Sequence, residues 1–115
     1  MLPRDTNAYG TIFGGVILSY LDLAGSIEAR KHTGKKLVTK AMREVVFVAP
    51  VFLGDLVTFY TTTKRIGKTS ITIDVVVESE RLGPLGNKEI VKVTEAEVIY
   101  VAVDEQGRSL CLVDE

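Results

Sequence analysis

One carboxylate at an unusual position is the first candidate for chemistry. Asp22 is the only charged residue between Thr11 and Ile27, in a segment that is otherwise apolar or small. Burial of an ionised carboxylate without partners costs on the order of several kcal/mol, so hydrogen bonds or a function must account for it. A partly desolvated carboxylate is also a general base that can activate water. Asp22 is therefore a candidate catalytic residue.

Helical spacing places small and polar residues on the same face as Asp22. Steps of three and four residues align side chains along one helix face, and here they connect Gly15, Ser19, Asp22, Ser26 and Ala29. This stripe predicts a narrow groove with a carboxylate at its middle. A structural alternative stays open, in which Asp22 accepts hydrogen bonds from Ser19, Ser26 or a neighbouring strand and only fixes packing.

The start of the same helix offers a second functional group. Phe13-Gly14-Gly15 lets the backbone approach a ligand closely. The first N–H groups of a helix are unpaired donors at the positive end of its dipole, which suits an oxyanion. A carbonyl polarised at Gly14 and Gly15, with water activated by Asp22, predicts acyl transfer to water.

One long helix and four strands are expected to position these groups. Apolar residues cover most of the circumference of Gly15–His32, and Gly34 follows as a C-terminal stop. Alternating or β-branched residues predict the strands, with a tight turn at Gly67-Lys68; the strands are Leu37–Ala49, Leu56–Ile66, Thr69–Glu80 and Glu89–Val103. Short connections between long strands predict an antiparallel meander.

These elements predict an α+β fold in one domain, residues 1–115. The antiparallel sheet has to curl around the central helix, because nothing else in the chain can cover it. One sheet cannot cover the helix on every side, so a second copy of the chain is the expected lid. We therefore predict an obligate homo-oligomer.

Composition excludes several classes of partner. The net charge of −1 arises from 14 basic and 15 acidic residues, so attraction to nucleic acid or to a membrane surface is not expected. Cys111 is the single cysteine and cannot form an internal disulfide, and residues 1–5 lack the apolar stretch of a signal peptide. These features predict a cytoplasmic protein.

The order of the motifs resembles the acyl-CoA thioesterases (acyl-CoA hydrolases) of the hot-dog fold. The resemblance starts with the run from Pro3 to Gly15, which contains Asp5-Thr6-Asn7 and Phe13-Gly14-Gly15, and continues to Leu21-Asp22-Leu23-Ala24-Gly25. It extends over Phe47–Val51, Gly54-Asp55, Gly67–Ser70 and Val101–Asp104. It implies a hot-dog fold, in which a curved antiparallel sheet wraps one long helix. Family members generally carry another strand before the Pro3 segment.

The resemblance also implies roles for individual residues. Asp22 matches the catalytic carboxylate, as general base or nucleophile, and Asn7 matches an active-site asparagine that faces the aspartate of a neighbouring unit. Gly14 and Gly15 match the helix start whose N–H groups polarise the thioester carbonyl. Taken by itself, Asn7 in this turn-rich segment is more typical of a local turn former than of an active-site residue.

Substrate-binding residues follow from the same resemblance. The turn Gly67-Lys68-Thr69-Ser70 matches a segment that contacts coenzyme A, and Val46-Phe47 matches the pantetheine path. Lys68 and Arg65 are candidate cations for a CoA phosphate, although Lys68 in a turn is also typical of a solvated charge. No metal or other cofactor is implied, since coenzyme A is part of substrate and product. The family implies dimers, usually three per hexamer.

Two other functions are alternatives to hydrolysis of acyl-CoA thioesters. The first is a non-catalytic acyl-CoA binding or sensing module on the same scaffold. The second is a hot-dog dehydratase, which would pair a histidine with a carboxylate. His32, the only histidine, lies ten residues beyond Asp22, or about 15 Å along a helix. An intrachain pair of the two is therefore not expected.

Overall fold

The computed structural model describes residues 11–12 and 14–112. Helix α1 (Gly14–Ala29) comes first, and four strands follow it: β1 (Leu37–Phe47), β2 (Leu56–Ile66), β3 (Ser70–Leu82) and β4 (Lys88–Ala102). All five predicted elements are confirmed. The helix ends three residues earlier than predicted, because Lys31 and His32 donate to carbonyls three residues back and tighten the last turn.

The strand order corrects the predicted meander. The sheet has the order β1-β4-β3-β2, and every neighbouring pair is antiparallel. Strands β2, β3 and β4 form the expected meander, but β1 pairs with β4 and not with β2. The connection from β1 to β2 therefore crosses from one edge of the sheet to the other.

Strand β3 lies in the centre of the sheet and carries much of the core. Its alternating residues Ile71, Ile73, Val75 and Val77 are completely buried, as the period-two pattern predicts. Helix α1 packs on this inner face of the sheet through Ile17, Leu21, Gly25 and Ala29. One helix on one antiparallel sheet confirms the α+β class.

Helix α1 is not covered on all sides within one chain. Tyr20, Leu23 and Ile27 are 45%, 54% and 56% exposed. Burial of large apolar side chains of this kind against a partner would stabilise an assembly.

Within the described part of the chain, no helix is long and apolar enough to span a membrane.

Asp55 fixes the connection between β1 and β2. Its Oδ2 accepts hydrogen bonds from the Phe52 N–H at 3.0 Å and the Ser79 hydroxyl at 2.9 Å. The same oxygen forms an ion pair with Arg81 at 2.8 Å. The Gly54-Asp55 motif thus has a structural role, since one buried carboxylate joins the loop to β3.

Candidate active site

Asp22 lies in the middle of α1, where the helix meets strands β1 and β4. Its carboxylate is partly buried. Oδ1 accepts a hydrogen bond of 2.8 Å from the Thr39 hydroxyl on β1 and lies 3.1 Å from the Tyr100 hydroxyl on β4. Thr39 and Tyr100 are themselves direct partners across the two strands. The sheet therefore supplies a polar pair under the carboxylate.

Tyr100 is almost completely buried, with 1% of its surface exposed. Its hydroxyl donates to the backbone carbonyl of Asp22 at 2.6 Å as well as lying beside the carboxylate. Burial raises the pKa of the Tyr100 hydroxyl, and the neighbouring Asp22 carboxylate raises that pKa further. Tyr100 therefore remains a protonated donor at any physiological pH.

The contacts of Asp22 are one-sided. Both hydrogen-bond partners found among the described residues bind Oδ1. Oδ2 has no protein donor in that part of the chain, so it is free to accept a proton from water. A carboxylate with one oxygen anchored and the other open has the geometry of a general base.

Among the described contacts, neither serine of the predicted stripe donates a hydrogen bond to the Asp22 carboxylate. Ser26 donates to the carbonyl of Leu23 at 2.7 Å, and Ser19 is exposed. Of the structural alternatives, the neighbouring strands are the source of the hydrogen bonds to the carboxylate. Thr39 and Tyr100 were not predictable as partners of Asp22, because a threonine and a tyrosine in β-rich segments are also typical of ordinary strand residues.

The start of α1 forms a separate apolar cavity. Gly14 and Gly15 are the first residues of the helix, and both are exposed. A Cβ on Gly14 would lie 3.2 Å from the Phe47 ring, whereas one on Gly15 would contact nothing within 4 Å. The cavity beside Gly14 is lined mainly by apolar residues, among them Ile17, Phe47 and Val93. Helix N–H donors and an apolar wall thus occur together there.

Val46 and Phe47 do not share a surface. Phe47 lies at the inner cavity beside Gly14, whereas Val46 borders a depression formed with charged residues such as Glu44, Lys64 and Glu95. Successive residues of a strand point to opposite faces, which separates the two side chains. Only Phe47 is therefore brought together with the helix start.

The turn after β2 lies at the end of the sheet where β1 begins, whereas Phe47 ends β1 and pairs with Thr94 in the middle of β4. The Gly67 N–H donates to the Ser70 carbonyl at 2.7 Å and closes the turn, as predicted. Ser70 immediately precedes Ile71, which pairs with Tyr100. Arg65 and Lys68 are exposed, and Thr69 is partly buried. The turn thus lies near the Asp22 end of the sheet, although none of its described residues bonds to Asp22.

Some predicted features lie outside the described residues or away from Asp22. Asn7 and Phe13 are outside the described part of the chain. His32 Nε2 is 2.8 Å from the Thr63 hydroxyl, which itself donates to Glu28 at 3.0 Å. The imidazole is therefore engaged in a link between helix and β2. No group of described residues has the composition of a metal site.

The amino-acid sequence of the chain matches a known protein family. Residues 9–84 match the model of the Thioesterase superfamily. This match includes α1 with Asp22, the helix start and most of the sheet. The chain belongs to the thioesterase superfamily.

Thioesterase relatives match nearly the whole chain. The acyl-CoA thioester hydrolase YciA of Escherichia coli is 37% identical over 113 residues, which are 96% of this chain and 84% of that protein. YciA of Salmonella typhimurium is 39% identical over 109 residues, covering 93% and 80%. These relatives hydrolyse acyl-CoA thioesters.

Solved thioesterase structures share the fold. A hexameric hotdog fold thioesterase of Campylobacter jejuni is 42% identical, with a TM-score of 0.90 over 97% of this chain and 84% of that one. A hexameric thioesterase from Yersinia pestis is 35% identical, with a TM-score of 0.88 over 98% and 89%. The predicted hot-dog fold is confirmed.

Proposed function

We propose that the protein hydrolyses acyl-CoA thioesters to a carboxylic acid and free coenzyme A. The observation that carries the proposal is the Asp22 carboxylate, which Thr39 and Tyr100 contact at Oδ1, while no donor among residues 11–12 and 14–112 reaches Oδ2. Relatives over most of the chain are acyl-CoA thioester hydrolases. The proposed compartment is the cytoplasm, and the proposed unit is one domain per chain.

Asp22 acts as the general base in this proposal. Oδ2 takes a proton from water while the water oxygen attacks the thioester carbonyl carbon. The tetrahedral intermediate then expels the CoA thiolate, and the proton returned from Asp22 gives the free thiol. Water and thioester are consumed, acid and thiol are released, and the carboxylate is regenerated.

The oxyanion is held by backbone N–H groups at Gly14 and Gly15, with Asn7 orienting water or carbonyl. Gly14 and Asp22 are eight residues apart, or about 12 Å along the helix. A reacting carbonyl needs its nucleophile within about 3.5 Å and its oxyanion donors within about 3 Å. This separation favours a site that combines Asp22 of one copy with Asn7 and the helix start of another.

The location of the predicted CoA contacts supports the same arrangement. Phe47 and Thr39 occupy opposite ends of β1, about 20 Å apart, because the strand between them contains two bulges and spans six residues of β4. The Phe47 ring lies beside Gly14, whereas the turn Gly67–Ser70 lies near the end of the sheet that contacts Asp22. In the proposal, Phe47 lines the pantetheine path, Val46 on the opposite face does not, and Lys68 and Arg65 pair with CoA phosphates.

The proposed assembly is a homo-oligomer of at least a dimer, arranged as a trimer of dimers. Relatives of this fold are hexameric, and the exposed apolar residues Tyr20, Leu23 and Ile27 provide surface for a second copy. Light scattering should give the mass of several chains. A well-folded monomer at micromolar concentration would contradict this part of the proposal.

The test of activity is release of free thiol from a panel of acyl-CoAs of increasing chain length. We expect turnover that saturates with substrate, and kcat/KM across the panel will define the preferred acyl group. Calorimetric binding of acyl-CoA without thiol release would instead favour the binding or sensing module. Absence of both binding and turnover across the panel would exclude both functions.

A further inference from the structure

Tyr100 connects the core of the sheet to the backbone of α1. Its ring is buried among core residues, and its hydroxyl lies 2.6 Å from the carbonyl oxygen and 3.1 Å from Oδ1 of the same residue, Asp22. One hydroxyl thus contacts both the main chain and the side chain of Asp22. Such a contact restricts rotation of the carboxylate about its side-chain bonds as well as movement of the helix along the sheet.

Gly25 provides the space for this hydroxyl. A Cβ at Gly25 would collide with the Tyr100 oxygen and would lie 3.3 Å from two ring carbons. Gly25 is buried inside the helix, a position where glycine is less favourable than alanine. The tyrosine hydroxyl therefore explains why a glycine follows Asp22 by three residues.

We infer that Tyr100 is a positioning residue for Asp22, and that Gly25 is required because the Tyr100 hydroxyl occupies the place of its Cβ. The inference rests on the proposed function. The Thr39 hydroxyl donates to Oδ1 from β1, and the Tyr100 hydroxyl on β4 shares its single proton between Oδ1 and the Asp22 carbonyl oxygen. With Oδ1 engaged by both strands, Oδ2 is the oxygen that deprotonates water in the proposed reaction.

Removal of the hydroxyl alone provides the first test. Tyr100→Phe keeps the ring in the core and should lower kcat at least about tenfold, with KM for acyl-CoA changed less than about threefold. Tyr60→Phe is the matched control, because Tyr60 is on β2 and 53% exposed. Measurements below the melting temperature of each variant separate positioning from unfolding. An unchanged kcat in Tyr100→Phe would overturn the inference.

Coupling to Asp22 provides the second test. Because Tyr100 acts through the carboxylate, Tyr100→Phe should cause almost no further loss in an Asp22→Asn background. A tenfold loss in both backgrounds would show that Tyr100 acts independently of Asp22 and would overturn the inference. If the wild-type protein itself shows no turnover, the proposed function is wrong. If the wild type is active but the variants do not behave as described, only the inference on Tyr100 is wrong.

A double-variant experiment on Gly25 and Tyr100 tests whether the Tyr100 hydroxyl occupies the place of a Gly25 Cβ. Gly25→Ala should lower the melting temperature strongly in the wild-type background and much less in Tyr100→Phe, where the colliding oxygen is absent. Gly15→Ala is the stability control, since a Cβ there contacts nothing within 4 Å. Equal losses from Gly25→Ala in both backgrounds would contradict the assignment of that space to the hydroxyl.

Discussion

The Thr39 hydroxyl on β1 donates a 2.8 Å hydrogen bond to Oδ1 of Asp22 on α1. The two residues are 17 positions apart and belong to different elements. Hydrogen bonds to charged groups contribute about 1.5–3 kcal/mol, more than bonds between neutral groups. The orientation of the candidate base thus depends on the register between helix and sheet.

Replacement of Thr39 should therefore reduce catalysis more than stability. Thr39→Val keeps the shape of the side chain, and we expect kcat to fall roughly tenfold or more, with Thr39→Ser retaining most of the activity. Steady-state release of thiol measures both. Thr62→Val, on exposed β2 surface, is the control. Equal activity of the valine and serine variants would contradict a role for the hydroxyl.

Mixed oligomers test whether the site spans two copies. We expect Asn7→Ala and Asp22→Asn each to be nearly inactive. If Asn7 of one copy serves Asp22 of the other, random mixing in dimers should restore about a quarter of the wild-type sites, because half of the dimers are mixed and each has one intact site. Co-expression followed by the thiol assay measures this recovery. Mixtures as inactive as the single variants would indicate a site within one chain.

Glu97 should contribute a pH-dependent part of stability. It is only 4% exposed, and its carboxylate accepts hydrogen bonds from Arg43 at 2.9 Å and Lys64 at 3.3 Å. The Arg43 contact, with a smaller effect from Lys64, lowers the pKa of Glu97 below its ordinary 4.5. A lowered folded pKa stabilises the protein above the ordinary value, and this contribution is lost as pH falls through the folded value.

The corresponding measurement is the melting temperature as a function of pH. Glu97→Gln should melt below wild type at pH 7, and the difference should shrink as the pH falls below 4.5. Glu105→Gln, in an exposed turn, serves as control. A difference between Glu97→Gln and wild type that stays constant down to pH 3 would contradict the ion-pair account.

The sequence predicted the elements well, because their patterns are local. The alternation of Ile71, Ile73 and Val75 identifies a buried strand directly, and the isolated charge of Asp22 identifies the candidate base. The pairing of β1 with β4 was not predictable in this way, since strand order depends on contacts between residues far apart in sequence.

The surroundings of Asp22 illustrate the same limit. Tyr100 lies 78 positions from Asp22, and its hydroxyl reaches the helix only because Gly25 leaves space. Helical periodicity predicted Ser26 as a neighbour, but Ser26 bonds to the carbonyl of Leu23 instead. Hydroxyls in helices often prefer such backbone carbonyls to nearby side chains.

The central claim is that Asp22 removes the proton from water, and its most direct test is kcat for thiol release by Asp22→Asn. The amide has nearly the same shape but cannot accept that proton. We expect kcat to fall roughly 10²–10⁴-fold, with acyl-CoA binding, assembly and melting temperature close to wild type, while the control Asp74→Asn on the outer face of β3 stays active. Hydrolysis by Asp22→Asn at the wild-type rate would contradict the account.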